Sequence, residues 1–281
     1  MNKQDLMKLA SDFVTNSKDN YISNEIAMSK SVIGMKIFET PIWGFASPDD
    51  DYFTLLKKPE GIGEHFSTPK EWLPQAKSVL SFFLPFTDVV KNSNRREKQW
   101  PSEEWLHGRI ECQVFINKLC IYLQAQLINA GYNSLVPTLD KRFWSKSALN
   151  KNTPHPEASF TRNWSERHVA FIGGLGTFGL SKGLITSKGM AGRLSSIITE
   201  LHLPSRKREY ENIYEYCSKC GACVKKCPAN AISIDKGKNH IICSDFGNTI
   251  HEKYKPRYGC GKCQTGVPCE SRIPKHYNDV K

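Results

Sequence analysis

The sequence predicts an α+β fold in two parts, a mixed helix-and-strand core over residues 1–205 and a small cysteine-rich domain over residues 206–281. Three observations carry that reading. Apolar patterns of helical and strand period alternate irregularly through the first part. The basic stretch Pro204-Ser-Arg-Lys-Arg208 then interrupts them, and eight of the ten cysteines come after it. A length of 281 residues leaves room for one substantial core and one small domain.

Leu6, Leu9, Phe13 and Val14 recur at helical spacing, so the chain opens on a short amphipathic helix. Residues 31–62 are broken by Pro41, Gly44, Pro48 and Gly61 and read as loops and short strands. Thr68-Pro69-Lys70-Glu71 is a capping box with proline at the first helical position. The brief helix it starts runs into Val79–Leu84, a buried strand by its β-branched and aromatic content. Residues 87–100 read as a polar connector. Ser102, followed by Glu103 and Glu104, starts a long helix that Gly131 closes, with Ile110, Val114, Leu119, Leu123 and Leu127 as its core face. Leu135-Val136 reads as a strand end, and residues 138–165 as polar and aperiodic. Val169–Ile172 and Leu184–Thr186 read as strands, and Leu194–Leu203 as a further apolar element.

The chemistry lies in Cys217-Ser-Lys-Cys220-Gly-Ala-Cys223-Val-Lys-Lys-Cys227-Pro228, a C-x2-C-x2-C-x3-C-P run. Two-residue gaps on a tight turn let three thiolates reach three irons of one [4Fe–4S] cube, while the fourth cysteine serves a different cube. A second set is therefore required, and Cys243, Cys260, Cys263 and Cys269 supply it. The crossed assignment gives Cys217, Cys220, Cys223 and Cys269 to one cluster and Cys227, Cys243, Cys260 and Cys263 to the other. Such a pair conducts electrons. Val267 stands where a regular second half has its cysteine, so Cys269 must reach back from a longer loop. A structural zinc site can also use C-x2-C pairs, but this run packs four cysteines into eleven residues and a second set of four follows. A disulfide framework fits poorly with eight cysteines in the last 65 residues and no secretory signal before them. Cys112 and Cys120 fall on the long predicted helix and read as buried thiols.

Lys and Arg number 39 against 28 Asp and Glu, a formal charge of +11. Two oxidised clusters with their thiolates lower that balance to about +7. The excess could serve an acidic partner, a phosphorylated substrate or RNA, but a solvated basic surface is the default reading, and charge alone decides nothing. The longest apolar stretch, Val79–Phe86, is too short to span a bilayer. Lys3, Asp5, Asp12 and Asp19 leave no hydrophobic signal core near the N-terminus. A cytoplasmic protein in reducing surroundings, without membrane contact, is the expectation.

Gly174-Leu-Gly176-Thr-Phe-Gly179 matches G-x-G-x-x-G, the dinucleotide motif, and an apolar run precedes it. Gly183, Gly189 and Gly192 follow, which does not suit a phosphate-binding helix. A turn this dense in glycine marks close approach of backbone to another strand or to a flat ligand.

From Glu166-Arg-His-Val-Ala-Phe-Ile-Gly-Gly-Leu-Gly-Thr-Phe-Gly179, through Leu184-Ile-Thr186 and Ile198-Thr-Glu-Leu-His-Leu-Pro204, the chain resembles the cobalamin-dependent epoxyqueuosine reductases. More distantly it resembles the reductive dehalogenases. The cysteine run, Tyr258-Gly-Cys-Gly-Lys-Cys-Gln264 and Lys70-Glu-Trp-Leu-Pro-Gln-Ala-Lys-Ser-Val-Leu80 extend the likeness over most of residues 65–270. The resemblance implies a nitroreductase-like α+β core that binds base-off cobalamin, followed by a ferredoxin-like domain with two [4Fe–4S] clusters. It places Gly174, Gly176 and Gly179 against the corrin ring and makes a ferredoxin or flavodoxin the electron donor. The implied reaction is reductive removal of oxygen or another leaving group from a small-molecule or modified-nucleoside substrate. Loss of the lower axial ligand brings Co(I) within reach of low-potential clusters, and the protein supplies positioning, electrons and a proton.

Two departures accompany the likeness. The family's aspartate proton donor falls on Pro137 by the strand reading, or on Phe160 by counting back from Glu166, and neither side chain has a proton to give. Residues 138–163 form an apparent insertion between those alignments. Asp140 is the nearest carboxyl and becomes the candidate acid, while Lys141, Arg142 and Arg162 are candidates for holding an anionic substrate. Glu166 and Arg167 read as a structural ion pair near the pocket. The second departure is length: twelve residues follow Cys269, where the tRNA-acting reductases continue into a helical-repeat domain. A tRNA substrate is therefore disfavoured. Two alternatives stand beside the main reading, an electron-transfer protein that reduces a partner such as a corrinoid protein, and an epoxyqueuosine reductase acting on tRNA.

Overall fold

A computed structural model describes residues 1–146 and 160–275. Its elements run α1 (Lys3–Asn16), β1 (Ile42–Ala46), α2 (Asp51–Leu55), α3 (Pro69–Trp72), β2 (Ser78–Pro85), α4 (Asp88–Arg96), α5 (Glu103–Asn129) and β3 (Ser134–Leu135). They continue with α6 (Glu166–Ile172), β4 (Gly176–Phe178), β5 (Leu184–Thr186), β6 (Gly192–Thr199), α7 (Ala222–Lys226), β7 (Ile232–Ser233), β8 (Gly237–Lys238) and α8 (His240–Tyr254). Helix and sheet are mixed, and every strand pair is antiparallel.

The central sheet has the order β1-β2-β6-β3. Its inner strand β2 is buried along its whole length because both faces are covered. Leu80, Phe82 and Leu84 join α1 and α5 in one core. Val79 and Phe83 join α6, Trp72 and Trp164 in the other. A strand packed on both sides carries a continuous apolar run, which is why Val79–Leu84 was readable from sequence. The capping box at Thr68 forms with Glu71 as expected. Ser102 caps α5 by accepting a hydrogen bond from the Trp105 amide at 3.2 Å.

Three expectations need correction. Residues 88–96 are helix α4, not a connector. Their polarity misled because Ser93 and Asn94 are buried and work internally: Asn94 Oδ1 accepts from the Ser102 amide at 3.2 Å. Val169–Ile172 is the end of helix α6 rather than a strand, since four consecutive buried residues look alike in either conformation. On α5 the buried stripe runs through Cys112, Phe115, Ile116, Leu119, Leu123 and Leu127, whereas Val114 is exposed and Ile110 half-buried.

The cysteine-rich part is tied firmly to the core. Lys262 is buried and donates to the carbonyl oxygens of Asn94 and Glu97 at 2.8 and 2.7 Å, closing the C-terminal end of α4. Arg95 pairs with the buried Glu270, and Arg257 with Glu111 of α5. Gly261 has φ +66° and lies on the Trp105 indole, where a Cβ would come within 2.0 Å of Cε2. Only glycine fits there. Among the described residues no helix is long and apolar enough to cross a membrane.

Candidate functional site

Cys217, Cys220, Cys223 and Cys269 line one cavity, together with Ile185, Met190, Val267 and Pro268. Backbone contacts hold its walls. Phe178 of β4 donates to the Ile213 carbonyl at 2.7 Å, and the Tyr216 amide to Thr177 Oγ1 at 2.8 Å, which fixes the approach to Cys217. From the other side the Met190 amide donates to the Cys269 carbonyl at 2.9 Å. Gly189 makes that approach possible, because a Cβ there would stand 2.3 Å from the Glu270 oxygen. The longer loop through Val267 thus still brings Cys269 to the other three thiols. Burial pushes the Cys223 thiol up to about 11 and that of Cys269 up to about 12. Free thiols there stay protonated; thiolates need cationic partners such as iron.

The remaining cysteines form a second group. Cys263 interacts electrostatically with Cys227 and Cys243, and Cys260 with Cys263 and Cys243. Cys243 sits in the first turn of α8, which Asn239 caps by accepting from the amides of Ile241 and Ile242. Cys260 and Cys263 flank Lys262, so the same lysine that closes α4 also sets their turn. Asn94 adds a hydrogen bond to the Cys260 carbonyl at 3.3 Å. Cys227 Sγ accepts from the Ala231 amide at 3.2 Å. Among the described residues no three His, Cys, Asp or Glu side chains are grouped to hold a single metal ion. Cysteines around a cube of irons stand farther apart than those around one ion, so the donor set fits cubes better than zinc.

Beside Cys263 the core presents a group of arginines, of which sequence reading had singled out Arg162 and Arg167. Arg109 comes from α5, Arg167 from the first turn of α6 and Arg193 from β6, with Arg162 just before α6. Arg167 is close enough to Arg109, Arg162 and Arg193 to interact with each, and also with Cys263. Arg162 and Arg167 keep exposed surface, yet surrounding protein desolvates both charges. Desolvation brings Arg167 and Arg109 down to about 10. His240 opens α8 near the same arginines, its pKa lowered to about 4 first by burial and then by Lys238, Lys182, Arg167 and Arg162. Phe160 stacks on it with ring centroids 5.5 Å apart.

Glu166 does not pair with Arg167. Its two carboxylate oxygens are buried without a hydrogen bond, and burial raises its pKa to about 7 despite nearby Ser196 and Arg162. Its neighbour His168 is neutral over the physiological range, lowered to about 4 by burial and then by Arg167 and Arg162. Asp140 stands elsewhere, chelating Arg142 through Nε at 2.8 Å and NH2 at 3.0 Å. Hydrogen bonding to Arg142 lowers its pKa, so it holds no proton to donate at neutral pH. That environment argues against the acid role the sequence suggested. Arg142 is spent on the same pair and on the Trp72 carbonyl. Pro137 begins a short 3-10 turn and is buried, whereas Phe160 stacks on His240.

The glycine-rich stretch forms no phosphate-binding helix. Gly176 begins β4, and a Cβ on it would lie 1.9 Å from the Ile185 oxygen of β5. Gly174, at φ +81°, has the Arg206 side chain nearest, and Gly179 has Ile185 and Met190. Strand packing therefore explains Gly176 without a ligand.

What fold and site define is an antiparallel α+β core bound to a ferredoxin-type cysteine segment. The model of the 4Fe-4S binding domain matches residues 210–233. Structural neighbours of the chain are epoxyqueuosine reductases and reductive dehalogenases. A crystal structure of an epoxyqueuosine reductase aligns over 84% of this chain and 63% of its own, at 20% identity and a TM-score of 0.51. A reductive dehalogenase, described as bearing on B12-dependent dehalogenation, aligns over 83% of this chain and 30% of its own, at 12% identity and a TM-score of 0.51. In sequence, the tetrachloroethene reductive dehalogenases of Desulfitobacterium hafniense and Dehalobacter restrictus are each 32% identical over 112 residues. That match covers 37% of this chain and 20% of theirs, so the chain spans about a fifth of those relatives. An iron–sulfur segment implies exchange of electrons with a redox partner.

Proposed function

We propose that this chain is an iron–sulfur oxidoreductase in which two [4Fe–4S] clusters deliver electrons to a base-off corrinoid for reductive removal of a leaving group from its substrate. The observation that carries the reading is the second cysteine group, Cys227, Cys243, Cys260 and Cys263, which lies against the α+β core with Cys263 within electrostatic reach of Arg167 of α6. Cys217, Cys220, Cys223 and Cys269 hold the other cluster, and the exposed Cys220 marks the side where electrons enter from a ferredoxin or flavodoxin. The two domains meet near residue 205, and the chain works in the cytoplasm.

A corrinoid, when bound, supplies reducing chemistry at cobalt that side chains lack. The side chains beside the second cysteine group are compatible with such a group: guanidinium donors on Arg109, Arg162, Arg167 and Arg193, and a stacked Phe160–His240 pair. Gly174 and Gly179 remain candidates for contact with the ring, whereas the need for glycine at 176 is met by β5. Burial raises the Glu166 carboxyl to about 7, so it carries a proton over part of the neutral range and is a better candidate acid than Asp140, whose pKa is lowered by Arg142.

The test is anaerobic cluster reconstitution of the full chain, iron and sulfide counting, and EPR of added cob(II)alamin. Near-stoichiometric binding with loss of the axial-nitrogen splitting supports the proposal. A full complement of iron with an unchanged free-cobalamin spectrum sinks the corrinoid assignment and leaves an electron carrier that serves a partner.

A further inference from the structure

Apart from the cysteine groups, the core holds a cavity of about 220 Å³ bordered by α2, α6, β4 and the segment that leads to Cys217. Leu56, Phe171, Ile172 and Phe178 line it and are buried. Their packing fixes its walls. Tyr52 meets Phe171 edge-on with ring centroids 5.4 Å apart, and His168 lies 5.0 Å from Phe178. Arg208 rests over the Tyr52 ring at 4.7 Å while donating to Asp50 at 2.6 Å, and the Phe178 amide holds the Ile213 carbonyl at 2.7 Å. An apolar cavity of about 150 Å³ already admits benzene, whereas pockets for drug-sized ligands start at roughly 300 Å³. This space therefore suits one substituted ring.

A single imidazole interrupts the apolar lining. His168 Nδ1 shares a hydrogen bond with Ser165 Oγ at 2.8 Å, and the ring makes no other among the described residues. Nε2, on the opposite side of the ring, is left for the cavity that the ring lines. A desolvated imidazole with half of its hydrogen-bonding capacity idle is costly unless a ligand completes it. A hydroxyl does so in either tautomer, because it both donates and accepts. Glu211 also borders the cavity, and its carboxylate opposes an anion there.

We infer that this cavity binds a small uncharged hydroxylated aromatic ring, seated between Leu56, Phe171 and Phe178 with its hydroxyl on His168 Nε2. The inference goes beyond the electron path proposed above and does not depend on it.

The experiment titrates the full chain, reconstituted anaerobically, with phenol, toluene and benzoate by calorimetry, and follows the His168 ring nitrogens by NMR. One phenol per chain is expected, with a shift of His168 Nε2 that toluene does not produce. Benzoate should bind at least about tenfold more weakly than phenol, since its charge would be desolvated. His168→Leu should weaken phenol about tenfold and leave toluene unaffected. Ile213→Trp alters a side chain with ample surface and should block both rings by filling the mouth. If His168→Leu does not fold, Ile213→Trp and the wild-type nitrogen shift decide. Unsaturable phenol uptake, phenol bound without moving His168, or parental affinity in Ile213→Trp overturns the inference. So does displacement of phenol by one equivalent of cobalamin, because the cavity would then belong to the corrinoid.

Discussion

The two cysteine groups sit in opposite surroundings. Around Cys217, Cys220, Cys223 and Cys269 the walls are apolar, Met190, Ile185 and Val267, and Cys220 reaches the surface. Around Cys263 the neighbours are cationic, Arg167 and Lys238. An apolar shell with one exposed edge suits exchange with a protein partner. Positive charge beside a cluster favours its reduced, more negative state and so draws electrons inward. Under the function proposed above, the contrast gives a direction: electrons enter at the first group and leave from the second.

The largest effect should come from breaking one group alone. Cys263→Ser is expected to remove about half of the iron, one cube of two, while the first cluster keeps its EPR signal. Cys220→Ser should do the converse, and loss of all iron in either variant would mean that the groups are not separate. Gly261→Ala comes next. Its methyl would meet the Trp105 ring at a positive φ, so a loss of several kcal/mol, about 3 or more, is expected in chemical unfolding. Lys262→Ala removes the buried ammonium from two helix-end carbonyls and should cost about 2–3 kcal/mol, with the second cluster lost more readily than the first.

Glu166→Gln tests the arginine group through pH. Its carboxyl titrates higher in the folded chain, at about 7, than in the unfolded one, so folding disfavours the ionised form. Stability is therefore untouched below the ordinary carboxylate range, falls as pH rises through it, and carries the full penalty above about 7. The variant should gain stability at pH 8, exceeding its gain at pH 6 by about 1 kcal/mol. A gain independent of pH would show that the carboxyl is not the group responsible. The smallest effect belongs to Asp140→Asn, an exposed pair worth under about 1 kcal/mol. Reduction of bound cobalamin by the variant should match the parent, and a strong loss would restore Asp140 as the acid.

Legibility from sequence followed local rules closely. The Thr68 capping box, the β2 strand and the start of α5 at Ser102 each rest on residues adjacent in the chain, and each formed as read. Helix α4 was missed because Asn94 is polar for an internal reason, its partners being Ser102 and Lys262, the latter 168 residues away. Both cysteine groups were visible through spacing. The arginine group was largely not, since Arg109, Arg167 and Arg193 lie on three elements that only the fold brings together. One signal was present: Arg109 precedes the buried Cys112 by about one helical turn.

The most direct test of the central claim is a reductive titration of the reconstituted full chain followed by EPR, with iron counted on the same sample. The account predicts about eight irons per chain and, at full reduction, two [4Fe–4S] spins close enough to broaden one another. About four irons and a single isolated spin would contradict it.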